Sequence, residues 1–159
     1  MIIIGIDPGT AITGYGVINR DMSGFLTCIE FGCIKTDKHL TLDERLSRLR
    51  LGLEKVIRQN KPTLAGVEKL FFTTNAKTAI SVAHARGVCI ETLFSSGSQI
   101  SEFTPLQVKQ AVTGYGKADK TQVQKMVKLL LKLDEPPRPD DAADALAVAI
   151  CCAHTSVYS

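Results

Sequence analysis

Five acids of this chain fall where chemistry could use them: Asp7, Glu68, Asp140, Asp141 and Asp144. Asp7 closes the apolar run Met1-Ile2-Ile3-Ile4-Gly5-Ile6 and is followed by Pro8-Gly9-Thr10, so its side chain is delivered on rigid backbone to the rim of a core. Glu68 closes a second such run, Leu64-Ala65-Gly66-Val67. The other three acids open an apolar helical pattern. Asp141 and Asp144 are three apart, Asp140 and Asp144 four apart, and either spacing puts two carboxylates on one helix face, so spacing does not choose between them. Carboxylates fixed in this way suit metal or phosphate chemistry. Plainer readings exist for each alone, since D-P-G-T is turn composition and acids in a first helical turn meet the positive end of the helix dipole. Those readings do not account for two buried strands that both end in an acid.

The elements that must position these acids follow from hydrophobic pattern. The Asp7 strand reads as buried on both faces, Thr13–Arg20 reads as a second strand, Asp21-Met22-Ser23-Gly24 as a turn, and Phe25–Lys35 as a third strand, which together make an antiparallel meander. Thr41-Leu42-Asp43-Glu44 is a capping box for a helix whose Leu42, Leu46, Leu49, Leu53 and Ile57 recur at helical spacing until Lys61-Pro62. With that helix between them, the strand ending at Glu68 returns parallel to the one ending at Asp7. Adjacent carboxylates at one sheet edge are costly unless a cation sits between them. A loop, Lys69 to Asn75, carries Phe71 and Phe72, and Asn75 is a candidate cap for a helix running to about Phe94. Its stripe Ala76, Ala79, Ile80, Ala83, Gly87 and Ile90 is expected to pack on the sheet, with a dimer surface as the alternative. A fifth strand over Ser98–Phe103, a short helix after Thr104-Pro105, a helix from about Asp119 to Leu133 and a last helix from Asp140 to about His154 complete the reading.

Composition narrows the class. A chain of 159 residues with no low-complexity linker and no internal repeat predicts one domain over 1–159. No uncharged apolar run approaches the ~18 residues of a membrane span, and no secretory leader is expected. Cys28, Cys33, Cys89, Cys151 and Cys152 are odd in number and contain no C-x-x-C, which predicts reduced thiols and a cytoplasmic protein rather than a disulfide frame or zinc site. His39, His84 and His154 form no ligand pair and are expected on the surface or in the core. Lys109, Lys117, Lys120, Lys125, Lys128 and Lys132 occupy a stretch whose only acid is Asp119, and the acid cluster follows at once. A polyanion-cutting metal enzyme needs that pairing, lysines for phosphates and acids for the cation, although a solvated helix also carries lysines.

The fragments G-I-D-P-G-T, V-E before an aromatic loop, Q-V-K-Q before G-x-G, A-x-K-x-Q-V-Q and D-A-A-D-A-L-A-V-A-I occur in order from Ile4 to about Ile150. Together they resemble the RuvC family of Holliday-junction resolvases. The resemblance implies an α/β RNase H-like fold, with a five-stranded mixed sheet of three antiparallel strands followed by two parallel ones, flanked by helices. It also implies a homodimer, junction DNA as substrate, a branch-migration helicase complex as a further partner, and divalent-metal hydrolysis of phosphodiesters. Matched position by position, the family's acids fall on Asp7, Glu68, Asp141 and Asp144, the D-A-A-D-A-L pattern selecting Asp141 over Asp140. Lys109 and Lys120 match lysines near the scissile backbone, Lys117 joins them as a candidate DNA contact, and Phe71 matches an aromatic that stacks on an unpaired base. Thr73-Thr74 departs from the pattern, standing where a relative carries a basic residue, and Phe72 is an additional aromatic.

The chemistry so implied is attack of water on a backbone phosphorus with two Mg²⁺ ions about 4 Å apart, for which Mn²⁺ should substitute. Asp7 is the candidate bridging ligand, and Lys109 and Lys120 would neutralise the growing phosphate charge. Two other classes share some of these features. One is a junction-binding protein that does not cut; the other is an actin-like or sugar-kinase-type phosphate-binding domain, for whose adenosine pocket 159 residues leave little room.

Overall fold

The computed structural model of the protein describes residues 1–70 and 76–155. Five strands, β1 (Ile2–Asp7), β2 (Ile12–Arg20), β3 (Leu26–Lys35), β4 (Leu64–Glu68) and β5 (Gln99–Phe103), form one sheet in the order β3-β2-β1-β4-β5. β1 runs antiparallel to β2 and β2 to β3, whereas β4 runs parallel to both β1 and β5. The sequence reading of three antiparallel strands followed by two parallel ones therefore holds. β1 lies at the centre, with Ile3, Ile4 and Ile6 fully buried.

Helices cover both faces. On one, α1 (Leu42–Asn60) and α2 (Ala76–Ser95) bury Leu49, Leu53, Val56, Ile57, Ala85, Cys89 and Leu93 with Ile4, Ile6 and Val67 of the sheet. α1 starts as its capping box predicts, the Thr41 N–H donating to Glu44 Oε2 at 2.8 Å, and ends at Lys61 in the left-handed conformation, φ 51°. On the other face α5 (Asp140–Thr155) lies directly on the sheet, and α3 (Pro105–Thr113) and α4 (Lys120–Leu130) pack over it. From Ala142 to Ala153 every residue of α5 except Asp144 is buried, as expected of a helix enclosed on all sides.

What brings α5 so close is a row of glycines. Gly16, Gly5 and Gly66 are register partners across β2, β1 and β4. A Cβ on Gly5 would overlap the backbone of Ala145 and lie 2.9 Å from Ala149 Cα, one on Gly16 would lie 2.7 Å from Leu146 Cδ2, and one on Gly66 would lie 3.0 Å from Val148 Cγ1. Gly14, the partner of Asp7, similarly admits the Asp141 carbonyl. The trough seats the first turn of α5 against the end of β1, because no other side chain is small enough there.

Two expectations are corrected. The middle of the small-residue stripe of α2 does not pack on the sheet: Ala83 and Gly87 are exposed, Ile80 is 61% exposed, and a Cβ on Gly87 would meet nothing within 4 Å, whereas Ile90 at its end does pack against the sheet-side core. The sheet is met instead by Ala85, Cys89 and Leu93, spaced four apart, whose apolar bulk outweighs that of the alanines and glycine. α4 also stops at Leu130, short of Leu133, because the chain turns and Lys132 adopts a left-handed φ of 53°. Phe71, Phe72, Thr73, Thr74 and the capping role of Asn75 lie outside the described residues. His39, His84 and His154 are exposed, and Cys89, Cys151 and Cys152 are buried in the core. No helix among the described residues is long and apolar enough to cross a membrane.

Candidate active site

The parallel register pairs Ile6 with Val67, so Asp7 and Glu68, the next residue of each strand, emerge side by side. Both are half-buried, and their carboxyls are close enough to act directly on one another. Burial, followed by the charges of Glu68, Asp144 and Asp141, pushes the Asp7 carboxyl up to about 8. The charges of the other three acids matched by the sequence resemblance therefore converge on Asp7. Burial also raises Glu68, while its hydrogen bond with Asp7 and the charges of Lys109 and Lys120 pull the other way.

Each strand end is tied down. Behind Asp7, the Thr13 hydroxyl donates to the Gly9 carbonyl at 2.6 Å, and the Thr36 hydroxyl donates to the Thr10 carbonyl at 2.6 Å. At Glu68, Arg86 of α2 donates from Nε to the Glu68 carbonyl at 3.0 Å and pairs through Nη2 with Glu102 Oε2 of β5 at 2.6 Å. The Lys69 N–H donates to the Phe103 carbonyl at 2.7 Å, which closes β4 onto β5. Sequence reasoning gave Arg86 no role. The only signal was one basic residue in a mostly apolar helical stretch, too weak to single out.

Opposite the pair stands the start of α5. Burial raises the Asp144 carboxyl although Lys120 opposes it, with Lys120 Nζ 3.1 Å from Asp144 Oδ2 and 3.2 Å from Asp140 Oδ2. Burial works to lower Lys120, yet the two aspartates outweigh it and hold the ammonium above its usual range. A cavity of about 220 Å³ opens between Glu68, Lys109, Lys120 and Asp144, floored by Val108, Val123 and Ala147. Lys117 is exposed on the turn between α3 and α4 and does not line it. Among the described residues, no three acid, histidine or cysteine side chains close on one point. The acids stand as an Asp7–Glu68 pair, with Asp144 turned to Lys120, because bare carboxylates repel and a neighbouring ammonium is their nearest relief.

The donor set is nonetheless suited to a hard divalent cation. It consists of carboxylate oxygens only, burial and the neighbouring acids raise the Asp7 carboxyl far above its ordinary value, and an ammonium lies against another member.

A mixed sheet in this order, crossed by a helix whose Asp141 and Asp144 act on the acid that ends β1, places the protein among the RNase H-like folds. More narrowly, the chain belongs to the RuvC family: residues 3–152 match the family model for crossover junction endodeoxyribonuclease RuvC. A relative of that name from Desulforamulus reducens is 55% identical over 156 residues, covering 98% of this chain and 95% of its own. Thermus thermophilus RuvC superposes with a TM-score of 0.91 at 33% identity, over 99% of this chain and 96% of the other. The same Thermus thermophilus protein in complex with Holliday junction substrate superposes with a TM-score of 0.92 at 33% identity, over 98% and 94%.

Proposed function

We propose that this chain is a structure-selective endonuclease that resolves four-way DNA junctions by paired symmetric nicks, hydrolysing phosphodiester bonds with two Mg²⁺ ions per subunit. The observation that carries the reading is the junction of β1, β4 and α5, where the raised Asp7 carboxyl feels Glu68, Asp144 and Asp141 at once. Membership of the family supplies the substrate class and the dependence on divalent metal; it also removes the phosphotransferase-like alternative.

Asp7, Glu68, Asp141 and Asp144 would hold the ions, which supply Lewis acidity to the attacked phosphate and to water. Asp7 is the candidate for the ligand common to both, since β1 is fixed by neighbours on either side and leaves that carboxyl least free to move. Asp7 and Glu68 would hold a cation in their ionised form, which bound positive charge would favour over the raised, protonated one. Lys109, on the cavity wall, and Lys120 balance charge that develops on the phosphate oxygens. Lys117 contacts the DNA backbone outside the cavity. Phe71 stacks on an unpaired base at the crossover, a contact worth ~1–3 kcal/mol, and so selects junctions over intact duplex. The outward stripe of Ile80, Ala83 and Gly87 on α2 supports a homodimer with two cutting sites, and a DNA substrate supports a cytoplasmic location.

The test is cleavage of a labelled four-way junction in Mg²⁺ or Mn²⁺ with linear duplex as control. Wild-type protein cuts the junction on two opposed strands, and Asp7→Asn binds it without cutting. Equal cutting by both proteins, or binding without cutting by the wild type, overturns the reading.

A further inference from the structure

Lys120 holds the first position of α4, the positive end of that helix, where a lysine is electrostatically misplaced. Two carboxylates of α5 keep it there, and they are not alike. Asp144 is the half-buried acid whose charge acts on Asp7. Asp140, four residues earlier, is exposed and does not line the cavity. Asp140 is fixed from its other side, because Gln124 Nε2, one turn beyond Lys120 on α4, donates to Asp140 Oδ1 at 2.9 Å. The carboxylate thus clips the start of α5 to the first two turns of α4, with one oxygen on Gln124 and the other 3.2 Å from Lys120 Nζ.

This arrangement bears on how a cation and Lys120 share the rim. An ammonium 3.1 Å from Asp144 competes with any divalent ion for that carboxylate, and the two positive charges repel. Were Asp144 the only partner, a cation could bind there only by stripping Lys120 of its counter-ion. With Asp140 beside it, the amine can shift its whole pairing by rotation of its own side chain and remain at the edge of the cavity bounded by Glu68 and Lys109.

We propose that Asp140 is a positioning residue, a second seat that retains Lys120 at the cavity rim when a cation takes Asp144. The inference rests on the reading of Asp7, Glu68, Asp141 and Asp144 as cation ligands. An exposed ion pair contributes little to folding, so the role shows in cation affinity and turnover rather than in stability.

The experiment compares wild type, Asp140→Asn, Asp140→Glu, Lys120→Met and the Asp140→Asn/Lys120→Met double variant. Mn²⁺ binding is followed by the electron paramagnetic resonance of free Mn²⁺, and junction cleavage is timed in Mg²⁺. Asparagine keeps an acceptor for Gln124 and removes both the charge and the acceptor that face Lys120. Asp140→Asn is expected to weaken Mn²⁺ binding about 3- to 10-fold and to slow kcat similarly, with junction affinity changed less than about 2-fold and Asp140→Glu restoring most of both. In the Lys120→Met background the same substitution is expected to change Mn²⁺ affinity less than about 2-fold, because the residue acts through the lysine. Undiminished Mn²⁺ affinity in Asp140→Asn overturns the proposal. An equal loss in both backgrounds does so too, since the aspartate then acts only as one more negative charge. Asp7→Asn separates the two levels: if it binds Mn²⁺ like wild type the cation site itself is misread, and if it loses Mn²⁺ while Asp140→Asn binds normally, only the second seat fails.

Discussion

Replacing Asp7 by asparagine should remove the cutting activity and stabilise the protein at the same time, by an amount that depends on pH. The folded carboxyl titrates at about 8 against 3.8 for an ordinary aspartate, so between those values the native state holds a proton that the unfolded chain releases. Stability of the wild type in chelator therefore falls as pH rises through that window, whereas asparagine has no proton to lose. Each unit of pH within the window is worth at most about 1.4 kcal/mol, and the partner Glu68, itself raised, takes part of it. The advantage of Asp7→Asn over wild type should thus grow by roughly 2–3 kcal/mol between about pH 5 and about pH 7.5. Urea unfolding in EDTA at a series of pH values measures it directly. Adding Mg²⁺ should shrink the difference, because a cation that binds only the native wild-type site stabilises it by mass action. A difference that stays flat across pH, or an Asp7→Asn protein less stable than wild type at the upper end, would refute the idea that crowded burial of these carboxyls is the dominant strain at the rim.

Gly5→Ala should destabilise by about 3 kcal/mol or more, since its methyl must displace the α5 backbone, and the shift should separate Asp141 and Asp144 from Asp7; an unchanged unfolding midpoint would show that the trough yields freely. Arg86→Ala should cost about 1–3 kcal/mol, leaving the Glu68 carbonyl and Glu102 without their shared donor. It should also raise the Mg²⁺ concentration needed for half-maximal cutting, whereas a stability loss with unchanged Mg²⁺ dependence would limit Arg86 to a structural role.

The features legible in the sequence were those that a single run of residues encodes. Strand ends at Asp7 and Glu68, the capping box at Thr41 and the apolar period of α1 each need only local pattern, and the parallel return of β4 follows from the helix between the strands. What escaped depends on pairs distant in the chain. Gly5, Gly16 and Gly66 look like isolated weak points in strands until register aligns them beneath α5, where they face Ala145, Leu146, Val148 and Ala149. A run of strand glycines matched to an alanine-rich helix was the available signal. The face of α2 was misassigned because alanine and glycine spacing defines a stripe but not the side it turns to, which Cys89 and Leu93 decide by bulk. Placing Asp140 and Asp144 on one face allowed both to meet the same lysine, yet nothing in the spacing of α5 revealed that α4 would bring Lys120 and Gln124 to it.

The central claim is that Asp7, Glu68, Asp141 and Asp144 jointly hold divalent ions where β1, β4 and α5 meet. Crystals of the protein with a four-way junction, soaked in Mn²⁺ and measured at the manganese absorption edge, test it most directly. The account predicts two anomalous peaks with oxygens of these four side chains about 2 Å away, Asp7 reaching both. Manganese bound elsewhere with this rim bare, in crystals whose junction is nevertheless cut, would contradict it.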